Sequence, residues 1–226
     1  MNPLVSVIIP VYNGARFIAE ALQSVAAQDY SPIEVIVADD GSTDETARIA
    51  SGFPGVTVLP LAHGGVSRAR NLAVGASKGE WLAFLDADDT WLPGKLSVQV
   101  RLARETGASF VLCHLDHRFE GPIPGWFDGP ADGTPIVAYP PSAWLVSRAT
   151  FDRVGGFDEA RSLAEDTHWL SRAWELGVQQ AVAPEVLVVR RIHDSNATGN
   201  IVDGRRAIFD ILRESVQRKH AMRGND

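Results

Sequence analysis

The stretch Gly79–Trp91, GEWLAFLDADDTW, ends an apolar run in three carboxylates, Asp86, Asp88 and Asp89, within four positions. On an extended segment Asp86 and Asp88 point the same way, roughly 7 Å apart, while Asp89 points elsewhere. Like charges this close raise one another's pKa unless a cation or hydrogen-bond donors compensate. A hard divalent cation with oxygen ligands, half open to phosphate oxygens, meets that need. Mn2+ or Mg2+ on Asp86 and Asp88 is therefore the expected cofactor. A solvated turn that caps the next helix would need Asp89 or Thr90 alone.

A diphosphate beside that cation would also need donors from the protein. The chain has neither a G-x-G-x-x-G after a strand nor a Walker loop. Arg68 and Arg70, in GGVSRARN, are the expected anion contacts. Glu165-Asp166 opens a helical pattern, where acids complement the helix dipole or one of them serves as a general base. The two residues alone leave both readings open. Cys113, His114 and His117 offer one thiol and no second pair, so zinc is not expected. Trp126 and Trp144 lie in or beside a long irregular segment, where an indole face could stack on a sugar. Trp81, Trp169 and Trp174 are expected in the core.

These residues need elements to hold them. Val5–Pro10 is an unbroken apolar run, as in a strand buried on both faces. Ile18, Ala21, Leu22 and Val25 then recur at helical spacing. Glu34–Ala38 is a second strand, followed by DDGSTDET, where Ser42 and Glu45 have capping-box spacing. Val56–Leu61 predicts a third strand, VSRARNLAVGAS a helix, and Trp81–Leu85 a fourth strand. Pro93 suits the first turn of the helix in KLSVQVRLARE, and Ser109–Cys113 predicts a fifth strand. Residues 116–142, rich in Pro and Gly, read as a long functional loop. SAWLVS reads as a strand, ATFDRVGGFDE as a short helix stopped by glycine, and EDTHWLSRAWELG as a helix ended by Gly177. Val186–Arg190 is a further strand and Arg205–Lys219 a C-terminal helix.

Strands alternating with helices predict an α/β fold with a doubly wound, mainly parallel sheet. Ligands of such sheets sit beyond the carboxyl ends of the strands. Three strands here exit into YNG, DDGS and DADD, all at that edge.

Composition narrows the partners. The chain of 226 residues can bury roughly 70–75% of its unfolded surface, enough for one full core. With 21 Lys and Arg against 28 Asp and Glu, its net charge of −7 argues against nucleic acid as a partner. One cysteine excludes an internal disulfide and suits a reduced, cytoplasmic compartment. The N-terminal apolar run is too short for a signal peptide or a membrane span. Any membrane contact, such as with the inner face of the cell membrane, would then be peripheral.

PVYNG, VADDGSTDET, GGVSRARNLA, GEWLAFLDADD, GGFDE, LAEDTHWLSRAWELG and RRIHDSN occur in one order. As an ordered set, over roughly residues 4–200, they closely resemble the family 2 glycosyltransferases, inverting enzymes of the GT-A fold. The resemblance implies a nucleotide-sugar-binding half (1–115), an acceptor and catalytic half (116–200) and a C-terminal helix (201–226) in one domain. It puts Pro10, Tyr12 and Asn13 on the nucleotide and makes Asp40 the acceptor for a base N–H, which suits uracil or thymine. It places Asp86, Ala87 and Asp88 against the ribose, diphosphate and metal, and brings His193 toward the metal. It makes Asp166 the general base, with Glu165 beside it on the acceptor side.

Processive members of that family carry a Q-x-x-R-W element; VQRKH lacks it, and no membrane spans follow. The expected activity is transfer of one sugar from a nucleoside diphosphate donor, UDP-linked, to a hydroxyl on a saccharide or lipid-linked acceptor in glycan or cell-surface polysaccharide assembly. A non-catalytic nucleotide-sugar-binding subunit is the alternative. A sugar nucleotidyltransferase would need a basic glycine-rich loop that PVYNGARF does not supply.

Overall fold

The computed structural model describes residues 2–127, 129, 134–137, 139–194, 196 and 201–223. The first strand, β1 (Val5–Val11), is buried along its whole length, as its unbroken apolar run requires. Helix α1 (Ile18–Ala26) lays Ile18, Ala21, Leu22 and Val25 on the core. Strand β2 (Ile33–Asp39), helix α2 (Thr46–Ser51), strand β3 (Val56–Pro60), helix α3 (Val66–Ala76) and strand β4 (Trp81–Phe84) follow. The strands of this half pair in parallel, in the order β3-β2-β1-β4.

The second half departs from simple alternation. A two-residue strand, β5 (Thr90–Trp91), precedes helix α4 (Lys95–Thr106), and β6 runs over Phe110–Phe119. Strand β7 (Ile136–Val137) and a 3-10 turn at Pro141–Ala143 lead to β8 (Leu145–Ser147), helix α5 (Arg148–Val154), helix α6 (Glu165–Glu175), strand β9 (Gln180–Ile192) and helix α7 (Ile201–Arg223). Strand β8, not β6, neighbours β4, and it runs antiparallel to both. Among the described residues nine strands form one sheet, in the order β3-β2-β1-β4-β8-β6-β9-β5, with β7 on β6. The sheet is mixed, but its long ladders are parallel. The β1–β2 ladder has seven residue pairs and β6–β9 nine, whereas no antiparallel ladder exceeds three.

Several boundaries differ from the sequence expectation, each for a local reason. The Ser42–Glu45 capping box does not form; Asp44 Oδ1 instead accepts from Thr46 N at 3.0 Å, and Ser42 Oγ accepts from Asn13 N. Pro93 lies outside α4, because Gly94 at φ 84° turns the chain into the helix one residue later. The expected loop at 116–142 begins only after Phe119, since β6 keeps a partner in β9 through His117↔Arg190 and Phe119↔Ile192. In SAWLVS the first residues belong to the 3-10 turn and only Leu145–Ser147 is strand. Gly155 (φ 86°) and Gly177 (φ 66°) close their helices as expected. No described helix is long and apolar enough to cross a membrane.

Candidate active site

The loops after β1 and β2 clip together at the carboxyl edge of the sheet. Asn13, at φ 52°, donates its amide to Ser42 Oγ (2.9 Å), and its Oδ1 accepts from Thr43 N (2.8 Å). Gly14 N donates to Thr46 Oγ1 at 2.9 Å. Tyr12 projects outward and packs its ring on His63, centroids 4.2 Å apart. Asp39 Oδ1 accepts from Ser42 N at 3.0 Å, bracing its own turn.

Asp40 is engaged by the backbone. It is buried, with Oδ1 accepting from Gly64 N and Oδ2 from Gly65 N, both at 2.8 Å. His63 Nδ1 lies 2.9 Å from Oδ2. The carboxylate closes the 62–65 loop, and Asp40 does not line the cleft described below. Arg68 is also absent from that lining; its guanidinium donates to Ala62 O at 2.8 Å, two residues round α3 from Arg70.

The three carboxylates after β4 are held apart by three different sets of partners. Asp86 Oδ1 accepts from Arg70 at 2.7 Å. Asp88 Oδ2 lies 3.0 Å from His193 Nε2 and accepts from Asn196 Nδ2 at 3.1 Å. Asp89 is buried, its Oδ2 accepting from Ser142 Oγ (2.6 Å) and its Oδ1 from Arg191 N (3.0 Å). It caps no helix. Burial and the charges of Asp88 and Asp86 hold its pKa well above the ordinary carboxylate range, against the Ser142 bond. Burial also raises Asp86, with Arg70 opposing. One arginine, one histidine–asparagine pair and one serine each take a carboxylate.

Arg70 joins the two sides of the site. Its guanidinium, 2% exposed and over the Phe157 ring at 5.2 Å, also donates to Glu165 Oε1 at 2.6 Å. The carboxylates of Asp86 and Glu165 raise its pKa further, although burial alone would lower it. Glu165 and Asp166 occupy the first turn of α6, after Ala164 at φ 57°. Asn71, next to Arg70, holds α6's approach in place through Phe157 N and Phe157 O, both at 2.8 Å. The Gly156 beside them leaves room for that amide: a Cβ there would lie 2.7 Å from Asn71 Oδ1.

Asp166 Oδ1 accepts from Thr167 N at 2.6 Å, and Oδ2 has no hydrogen bond among the described residues. Burial, then the Glu165 charge, push its carboxyl up to about 6. A carboxylate of that pKa is a competent base near neutral pH.

A cleft of about 870 Å³ collects these groups. Pro10 near the end of β1 and Tyr12 and Asn13 from the loop after it line it together with Asp86, Ala87 and Asp88 from the loop after β4. Arg70, Glu165, Asp166, His193 and Trp126 are also on its wall. Trp144 is not. It is fully buried, edge-on to Phe110 and against Trp169 at 4.9 Å, with its indole N–H on Tyr139 O. The reason is β8: pairing Leu145 and Val146 into the sheet carries the neighbouring Trp144 into the interior. Trp169 is buried and Trp81 packs on the core as expected, whereas Trp174 is 49% exposed. Cys113 is buried, its thiol raised to about 11 by burial, and His114 turns to Ala183 O; they form no site with His117.

Sequence reasoning missed Arg191, Ser142 and Asn196. Arg191 N and Nε hold Asp89 Oδ1 and Asp88 O, while its guanidinium reaches Glu20 and Glu120. The second arginine of RRIHDSN and its terminal Asn were the available signals, since both lie inside a motif already singled out.

A mixed sheet with a nucleotide-type carboxyl edge, an acid cluster after β4 and a second acid pair on a facing helix define a GT-A-like α/β protein. The sequence profile described as Glycosyl transferase family 2 matches residues 6–159, and the chain belongs to that family. An uncharacterized glycosyltransferase of Rickettsia typhi is 29% identical over 221 residues, covering 89% of this chain and 68% of that protein. The crystal structure of S. aureus TarS 1–349 in complex with UDP superposes with a TM-score of 0.70 at 25% identity, over 83% of this chain and 60% of that one. The mannosyltransferase PcManGT from Pyrobaculum calidifontis, in complex with GDP-Man and Mn2+, gives 0.68 at 26% identity, over 87% and 59%. The chain thus spans about 60% of the length of these solved chains.

Proposed function

We propose that the protein is an inverting, metal-dependent glycosyltransferase that moves one sugar from a nucleoside diphosphate donor to a hydroxyl acceptor. The observation that carries this reading is one cleft holding Asp86, Asp88 and His193 together with Glu165 and Asp166. Asp166 lines that cleft with one carboxyl oxygen that makes no hydrogen bond among the described residues, as a proton acceptor for an incoming hydroxyl requires.

Asp88 and His193 fit a divalent cation. Two side chains from separate segments converge on one point, and carboxylate plus imidazole suits Mn2+ and tolerates Mg2+. Asp86, already neutralised by Arg70, would stand beside it. When bound, such a cation would offset the negative charge of the departing diphosphate. Arg70 keeps Asp86 and Glu165 from repelling each other. Asp166 takes the proton of the acceptor hydroxyl as that oxygen attacks the anomeric carbon, and the bond to the diphosphate breaks on the opposite face.

Support for the base comes from outside the Asp40 contact. TarS was crystallised with UDP and PcManGT with GDP-Man, so a uridine donor is the first to test and a guanosine donor the second. The experiment is nucleotide release over a panel of nucleotide sugars with Mn2+, followed by NMR of the product. An α-linked donor should give a β-linked product, and chelator should abolish release. A retained configuration, or full release in chelator, would overturn the mechanism.

A further inference from the structure

Helix α7 turns a row of apolar side chains to solvent where it borders the cleft. Phe209 is 71% exposed, Leu212 56%, Val216 54% and Ile208 44%. At the α-helical repeat these four fall within an arc of about 100°. The helix is seated by its other side: Ile211 is buried, Glu214 pairs with Arg161 at 2.5 Å, and Arg218 with Glu175 at 2.8 Å. A helix of a soluble domain normally presents polar residues on the side away from the core. A continuous exposed apolar row marks a surface that something covers.

The charge on the helix selects what covers it. Residues 205–223 carry six Lys and Arg against two Asp and Glu, in a chain whose net charge is −7. Exposed Arg206 and Arg213 flank the row on the Phe209 side. Of the two acids, Glu214 is tied to Arg161 on the seated side, and Asp210 projects about 100° round the helix from Phe209. Apolar residues with a large aromatic, flanked by cations and with the acids farther round the helix, match the interface of an anionic bilayer. A second copy on the same face would bring two basic surfaces together. Ile208 also lines the cleft, so the row continues outward from the cleft mouth.

We propose that this face of α7 docks the protein on an anionic lipid bilayer, with the cleft mouth held at headgroup level. Docking itself does not depend on the transferase reading. The consequence that the acceptor hydroxyl is carried on a lipid-linked saccharide does rest on it.

The test is flotation of the full chain with vesicles of phosphatidylcholine alone or with about 30% phosphatidylglycerol. Binding is expected to the anionic vesicles only, and to fall about tenfold between ~0.05 and ~0.5 M salt. The double variant Phe209→Glu, Leu212→Glu should lose binding, while its circular dichroism, Tm and donor hydrolysis stay as in the parent. Arg206→Gln with Arg213→Gln should weaken binding several-fold. No flotation of the parent chain, or equal flotation of the Glu variant, overturns the proposal. So does a concentration-dependent dimer that the Glu variant dissociates, which would assign the row to a second copy. Normal flotation without any nucleotide-sugar turnover would leave docking standing and refute the transferase reading.

Discussion

In the proposed mechanism Asp166 is the base, and its raised pKa makes two opposite predictions. As a base it must be ionised, so kcat/KM should rise with pH through an ionisation near 6. Asp166→Asn should lower turnover by about 10²–10⁴ and leave donor affinity nearly unchanged, because in the proposed mechanism it acts on the acceptor hydroxyl and not on the diphosphate. The stability sign runs the other way. A carboxyl whose folded pKa lies above its unfolded value is best tolerated protonated, so its ionisation costs stability as pH rises from about 4 to 6. Above pH 6 the Asn variant should therefore melt higher than the parent, by on the order of 1 kcal/mol; a lower Tm there would show that Asp166 is a structural acceptor. Asp40 is the converse case. Asp40→Asn can offer one oxygen to the two amides of Gly64 and Gly65, so it should cost about 1–3 kcal/mol of stability. Urea unfolding decides this. A variant of parental stability with lost uridine affinity would instead restore the base-reading role.

At the level of elements, the acid loop is fastened by residues distant in sequence. Ser142 Oγ accepts from Asp86 N at 3.1 Å and donates to Asp89, so the 3-10 turn before β8 locks the loop after β4. Behind that turn, Gln99 Nε2 on α4 donates to Ala143 O and Val111 O, and buried Lys95 donates to Gln99 Oε1 over the Trp91 ring. Asp89→Ala would leave Arg191 N and Ser142 Oγ without their acceptor, in the interior. It should cost about 1–3 kcal/mol and also weaken metal-dependent donor binding, since Asp88 shares the same short turn. Denaturant midpoint and donor titration together check this. Loss of donor binding at parental stability would make Asp89 a direct ligand contact.

On the scale of the whole molecule, both halves of the chain share one sheet, and Arg70 ties Asp86 after β4 to Glu165 on α6. Neither nucleotide nor cation alone should then stabilise the fold much, because each completes only part of the site. Both together, at about 100 times the dissociation constant, should add roughly 2.7 kcal/mol. A thermal shift with UDP, Mn2+ and their mixture measures it. Asp88→Ala should abolish the mixed effect, and an equal shift from UDP in chelator would argue against a metal bridge.

What was legible in the sequence was set by local physics. Unbroken apolar runs marked β1, β2 and β4, helical spacing marked α1 and α3, and polar strand exits marked the edge that carries the site. The ordered motifs named the family, which the profile match bears out. What the sequence could not show depends on contacts between distant segments. Whether a carboxylate is free for a ligand turns on donors elsewhere in the chain: Asp40 meets the amides of Gly64 and Gly65, and Asp89 meets Ser142 and Arg191. Whether a tryptophan faces a sugar or the core turns on which strand inserts beside β4; β8 does so, and Trp144 goes inside with it. Residue type limits what a side chain can do, but only the tertiary structure supplies the partner that uses up or leaves open that capacity.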